Sequence, residues 1–147
     1  MKRLIIAEKP SVAQAIAAVL NIREKKPGYL EGADVLVSWC AGHLVELAAP
    51  EGYDARYARW RQQDLPIVPG PWKYEVIEKS ARQFETLKRL MRRADISEVV
   101  NACDAGREGE LIFRFVYHQA GCKKPFTRLW ISSMETDAIK SGFDNLK

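Results

Sequence analysis

Short apolar runs alternate with helix-periodic segments along this chain, and that alternation restricts its fold more than any other feature. Arg3-Leu-Ile-Ile-Ala7, Val35-Leu-Val-Ser-Trp39, Glu98-Val-Val-Asn-Ala102 and Arg128-Leu-Trp-Ile131 read as strands. Behind the first, Ser11 is a candidate cap for a helix in which Val12, Ile16, Val19 and Leu20 recur at helical spacing. Phe84, Leu87, Leu90 and Met91 share one face of a segment from Ser80 to Arg93, with basic residues outside. A further helix follows residue 110, with Leu111, Ile112, Phe115, Val116 and Gln119 expected to face inward, and Glu135 to Leu146 forms the last. This order implies an α/β domain: a mainly parallel sheet of about four strands, flanked by helices.

One stretch breaks the pattern. Between positions 42 and 72 prolines stand at 50, 66, 69 and 71, glycines at 42, 52 and 70, and Tyr, Arg and Trp are interleaved. This is a long irregular insertion with short elements of its own. Trp72 to Glu78 reads as extended. The whole 147-residue chain fits one domain with one core. Its apolar share of 47% and charged share of 29% are those of a soluble globular protein. No run approaches the ~18 apolar residues of a membrane span. The apolar opening stops at Glu8, too soon for a signal peptide, so a cytoplasmic location is expected. Cys40, Cys103 and Cys122 lack CxxC spacing, which argues against a zinc site or a disulfide framework and for reduced thiols. A net charge of +4 permits a polyanionic partner without requiring one.

The segment Asn101-Ala-Cys-Asp-Ala-Gly-Arg-Glu-Gly-Glu110 carries the most chemistry. Asp104 follows a strand end, Gly106 and Gly109 permit a tight turn, and Glu108 falls in the first helical turn. Ligands of open parallel sheets bind at the carboxyl ends of the strands, and a helix amino terminus favours phosphate. Two carboxylates at this spacing can share a Mg²⁺ ion that bridges them to a phosphate. Arg107 between them can contact a phosphate oxygen or pair with an acid. The same residues also suit a purely structural junction, with Asp104 capping the helix and the glutamates favouring its dipole.

Ala7-Glu-Lys-Pro-Ser11 again ends a strand and opens a helix, so Glu8 and Lys9 converge with Asp104 and Glu108 if their strands are neighbours. A glutamate beside two metal-binding acids can act as a proton donor, and Lys9 can neutralise phosphate charge. No GxxxxGK loop and no GxGxxG fingerprint is present, so common nucleotide-cofactor sites lack support.

Together, AEKPS and DAGREGE resemble the signature of Toprim domains, an early glutamate followed by a DxDxE run. Trp39-Cys-Ala-Gly-His-Leu-Val-Glu46, Tyr53-Asp-Ala-Arg-Tyr-Ala-Arg-Trp60 and Asp64-Leu-Pro-Ile-Val-Pro69 look like the topoisomerase III branch of the type IA DNA topoisomerases. The resemblance covers almost the whole chain and implies a Rossmann-like Toprim fold. It implies that Glu8 is the general acid for a leaving 3′ oxygen, that Lys9 contacts the scissile phosphate, and that Asp104 and Glu108 hold Mg²⁺. His43 matches a position near the active site, although an ordinary hydrogen-bonded loop histidine fits equally.

The middle acid of DxDxE is Gly106 here. Two carboxylates must then suffice, with Glu110 or water as the available further donors, and one weak Mg²⁺ site is expected. In the resembled family a tyrosine attacks the strand and leaves a 5′-phosphotyrosyl bond without ATP. That residue lies in a later domain. Tyr29, Tyr53, Tyr57, Tyr74 and Tyr117 are outside its motif, so the chain is expected to be an N-terminal part of a larger enzyme and inactive alone. The expected partners are single-stranded DNA and the remaining domains. Arg56, Tyr57, Arg59, Trp60 and Arg61 could meet such a strand, but the preferred reading makes Tyr57 and Trp60 packing anchors and the arginines solvated. The alternatives are a Toprim primase or nuclease, or a non-catalytic α/β binding domain.

Overall fold

Four successive residues of strand β1 (Lys2–Ala7), Leu4 to Ala7, are shielded from solvent. A strand buried on both faces needs helices above and below it and strands on either side. The computed structural model, which describes Met1 to Lys147, has that arrangement. After α1 (Pro10–Val19), β2 (Glu24–Lys26) and β3 (Tyr29–Glu31) form a hairpin that leads into β4 (Val35–Trp39). β5 (Val45–Leu47) and β6 (Tyr74–Val76) bracket the insertion. Then come α2 (Ala81–Arg92), β7 (Ile96–Ala102), α3 (Arg107–Gln119), β8 (Phe126–Arg128) and α4 (Thr136–Asp144).

The main sheet has six strands in the order β2-β3-β4-β1-β7-β8. β4, β1, β7 and β8 run parallel, and the β2–β3 hairpin adds an antiparallel edge. Successive side chains of β1 point to opposite faces and seed two cores. Leu4 and Ile6 pack with Phe84, Leu87, Leu90 and Met91 of α2 and with Ile112, Phe113, Val116 and Tyr117 of α3. Ile5 and Ala7 pack beneath Ala13, Ile16 and Ala17 of α1 and Ile139 of α4. Each fully buried Leu, Ile or Phe here stabilises the fold by about 1.5–3 kcal/mol.

Several boundaries differ from those the sequence suggests. α1 is not capped by Ser11. Lys9 stands at its N-cap with no side-chain cap, and Pro10 takes the first turn, where a missing N–H is harmless. α3 is rotated: Phe113 and Tyr117 are buried, whereas Leu111 is 42% exposed and Gln119 lies outside. The last parallel strand is Phe126–Arg128, short of the expected 128–131; Leu129 still donates to the Asn101 carbonyl at 2.9 Å before the chain turns away. The β2–β3 hairpin has no apolar pattern, since Glu24-Lys-Lys26 is exposed. Its one signal is the Pro27-Gly28 turn, where Gly28 has φ 84.

The insertion is built as expected, from short pieces. β5 and β6 form a separate antiparallel pair, and the chain between them makes 3₁₀ turns at Pro50–Gly52, Ala55–Ala58 and Gln62–Asp64. Its base is held by Lys73 N–H donating to the Tyr53 hydroxyl at 2.8 Å. It docks on α3 through Tyr74, whose ring lies 4.9 Å from that of Phe115.

Candidate active site

β1 and β7 are adjacent parallel strands with Ala7 opposite Ala102, so the chain leaves both at the same edge. That register brings together residues far apart in sequence. The Asp104 N–H donates to Glu8 Oε2 at 3.3 Å, linking the two acidic motifs directly. Glu8 itself is buried, at 7% exposure. Its backbone carbonyl accepts N–H bonds from Ala41 at 3.1 Å and Gly42 at 3.2 Å. Making both bonds sends Ala41 and Gly42 into the left-handed region, with φ 71 and 76. For an alanine this costs about 1 kcal/mol. The turn carries the β4–β5 connection over Glu8 and delivers His43, whose Nε2 lies 2.6 Å from Glu108 Oε1.

The two glycines of the acidic turn do different work. A Cβ on Gly109 would stand 2.1 Å from the Asp104 carbonyl oxygen, so only glycine lets α3 start so close against that turn. Gly106 is extended at φ 178 and has nothing within 4 Å of its missing Cβ. Gly106 is also the N-cap, without a side-chain cap bond, so Asp104 does not cap α3. Its carboxylate is left free on the rim.

Glu8, Asp104, Arg107 and Glu108 line one cleft of about 550 Å³, with Ala105, Gly106, Gly109 and Leu111. Lys9 Nζ lies 3.7 Å from Glu8 Oε1 at its margin. No three His, Cys, Asp or Glu side chains close around a point as in a structural metal cage. The donor set is two carboxylates, Asp104 and Glu108, beside an open cleft. Such a set fits a hard cation that keeps most of its waters, as Mg²⁺ does.

Arg128 was read only as part of a strand, yet it builds the site from below. Nη1 donates to Asn101 Oδ1 at 2.9 Å and Cys103 O at 2.7 Å, and Nη2 donates to Asp104 O at 2.7 Å. Nε sits 3.4 Å from Glu110 Oε2 and makes no hydrogen bond. Burial lowers the guanidinium's pKa from its usual value, opposed chiefly by Glu110, and the group stays charged. The clue in sequence was an arginine in an otherwise apolar run beside the acidic turn. Beneath the cleft, the adjacent Cys103 thiol and then burial hold the Cys40 thiol well above the usual range. Cys40 is therefore a protonated core residue rather than a nucleophile.

Arg59 and Trp60 do not line this cleft. Both are exposed, and Trp60, at 83% exposure, does not anchor the insertion to this domain. Tyr57 is half-buried, and its hydroxyl accepts a bond from Arg56 at 2.6 Å. No helix is long and apolar enough to cross a membrane.

The Toprim domain family matches residues 3–134. The chain is 51% identical over 146 residues to a DNA topoisomerase 3 of Bacillus licheniformis, covering 99% of this chain and 20% of that protein. With a DNA topoisomerase 3 of Bacillus subtilis the identity is 49% over the same shares. The chain thus spans a fifth of the length of these curated relatives. A solved structure of full-length topoisomerase I from Thermotoga maritima superposes with a TM-score of 0.63 at 21% identity, over 98% of this chain and 21% of that one. The last comparison speaks to the fold alone.

Proposed function

The chain belongs to the Toprim domain family, and on that premise we propose that it is the metal- and phosphate-handling part of a topoisomerase III, which cuts and rejoins one DNA strand without ATP. The observation that carries this reading is the hydrogen bond from Asp104 N–H to Glu8, inside a cleft that Glu108 and Arg107 also line. A scissile phosphodiester would enter with Lys9 and Arg107 against its non-bridging oxygens, where two cations offset its charge. Glu8, buried beneath, would protonate the leaving 3′ oxygen and take the proton back on rejoining. His43 would hold the Glu108 carboxylate in place through their 2.6 Å contact. Asp104 and Glu108 are the residues that would hold Mg²⁺, which supplies charge neutralisation at the phosphate when bound.

The attacking tyrosine belongs to none of this cleft's lining residues. It would come from the domains that make up the rest of the relatives' length, and the chain alone is expected to leave supercoiled DNA unrelaxed. Arg59 and Trp60, exposed on the insertion, would face single-stranded DNA or those domains. The test is Glu8→Gln in the polypeptide extended through those domains. Strand cleavage and rejoining should fall by about 10²–10⁴, the range for loss of a general acid. Relaxation at the wild-type rate by that variant would remove Glu8 from the mechanism.

A further inference from the structure

A second hollow adjoins the acid cleft on the outer side of α3. Arg107, Glu110, Leu111 and Arg114 fall at i, i+3, i+4 and i+7, one face of that helix. Opposite them stand Phe126 and Arg128 of the edge strand β8, then Trp130. Lys147 is brought alongside because its backbone pairs with Arg128, N–H to carbonyl in both directions, at 2.7 and 3.0 Å. These residues enclose about 590 Å³. Gly106, Arg107 and Leu111 line both this groove and the acid cleft, so the two are continuous.

The groove is cationic and carries open ring surface. Its one acid, Glu110, is already engaged by Arg114 at 2.7 Å, by Asn101 at 2.9 Å and by Arg128 at 3.4 Å. Against Arg107, Arg114, Arg128 and Lys147, that single acidic side chain leaves the groove as a whole with surplus positive charge. Trp130 is 49% exposed, with the Arg128 and Lys147 cations 5.3 and 5.6 Å from its ring. Arg114 lies closer over Phe126, at 4.4 Å. A half-exposed indole with cations held only loosely over it suits an unstacked base, those cations turning from the ring to the phosphates that flank the base. A base stacked within a duplex has no free face to offer Trp130.

We propose that this groove is a subsite for single-stranded DNA, taking the nucleotide next to the phosphate held in the acid cleft. The word "next" rests on the proposed function above; the groove's affinity for a single strand does not. Trp130 stacks on the base, while Arg114 and Lys147 hold the phosphates on either side.

The test uses the 147-residue chain and a short fluorescein-labelled oligothymidylate, followed by anisotropy in EDTA so that no metal takes part. Trp130→Ala should weaken binding about tenfold or more, within the range for loss of one stacked base, and Trp130→Phe should restore most of it. Arg114→Gln and Lys147→Ala should each weaken binding and reduce the log–log salt slope by roughly 0.7, one phosphate contact apiece. Lys147 has only its backbone bridge and the Trp130 ring to disturb, so its variant remains informative if another folds poorly. Arg89→Ala, exposed on α2, should change nothing. Equal binding of a duplex of the same length would overturn the proposal, as would an unchanged affinity in Trp130→Ala or an unchanged slope in Lys147→Ala. Calorimetric titration with Mg²⁺ separates this result from the cleft's. If Mg²⁺ binds wild type but not Asp104→Asn while groove variants have no effect, the groove falls alone. If groove variants act and no Mg²⁺ binds, the cleft reading falls alone.

Discussion

Two clusters of charge sit at opposite ends of the central strand, and they are built on opposite terms. At the amino end Lys2 and Arg93 each meet Glu31 at 2.8 Å, and Arg93 grips Asp95 through two bonds of 2.9 and 2.7 Å. Each of these four charges is answered by another. Hydrogen bonds from Arg93, then Lys2, lower the Glu31 carboxyl, and Arg93 lowers Asp95 to about 2. At the carboxyl end Glu8, Asp104 and Glu108 share a cleft with Arg107; Lys9 stands 3.7 Å from Glu8 and His43 meets Glu108 at 2.6 Å, but no cation pairs with the Asp104 carboxylate. A closed network fastens β1, β3 and β7 together, whereas an open cluster of acids leaves charge for a ligand to satisfy. Local electrostatic frustration retained in an otherwise consistent fold is the mark of a site.

The open end is nevertheless rigidly supported, and removing its support should have the largest effect on stability. Arg128→Ala strips hydrogen bonds from Asn101, Cys103 and Asp104 and deprives those buried oxygens of their charged donor, while Glu110 keeps Arg114 and Asn101. Urea denaturation should show a loss of about 3–4 kcal/mol, the sum expected for two or three buried oxygens losing a charged donor. A loss below about 1 kcal/mol would mean that the acidic turn holds its own shape. Gly109→Ala comes next. Its Cβ would meet the Asp104 carbonyl at 2.1 Å, so the turn or the helix must move. A loss of about 2–3 kcal/mol is expected, together with loss of Mg²⁺ binding in a calorimetric titration.

These supporting residues also show where sequence reading succeeds and where it stops. Leu4 to Ala7, Val35 to Trp39 and Glu98 to Ala102 declare themselves because a strand buried on both faces is mostly apolar, with Ser38 and Asn101 its buried polar exceptions. Glu8, Asp104 and Glu108 were legible because each follows such a strand at the edge where parallel sheets bind ligands. The β2–β3 hairpin was not, since an exposed Glu-Lys-Lys strand has no apolar face to show. The face of α3 was misjudged by about one position, because Leu111, Ile112, Phe113, Phe115 and Val116 offer two apolar stripes and only the neighbouring β8 decides between them. Arg128 escaped notice for a different reason. Its place in an apolar run hints at a buried role, but its partners, Asn101 Oδ1 and the Cys103 and Asp104 carbonyls, come together only in the fold.

The closed network should respond more gently than either support. Glu31→Gln removes a carboxylate shared by two cations and should lower stability by about 1 kcal/mol at neutral pH. Glu31 has a folded pKa below its usual 4.5, so its contribution is complete above that value and is lost as pH falls through the lowered one. The gap between wild type and variant should therefore be full at pH 7 and close in acid. A gap constant down to pH 2 would show that packing, not charge, unites this end.

Gly106→Asp should have the smallest effect on the fold and the most informative effect on the site. The backbone there is extended and the space for a side chain is open, so the change meets no steric objection. A fourth acid beside Glu8, Asp104 and Glu108 adds repulsion in the absence of metal, so stability without Mg²⁺ should fall slightly, by a few tenths of a kcal/mol. With Mg²⁺ the sign should reverse, because a third carboxylate within reach would tighten a cation that Asp104 and Glu108 alone are expected to hold weakly. Metal at ten times its dissociation constant stabilises by about 1.4 kcal/mol, so thermal melts at rising Mg²⁺ should cross, the variant ending above wild type. Melts that never cross would mean that position 106 faces away from the cation. The weak metal binding expected of this chain would then need a cause other than the missing middle acid.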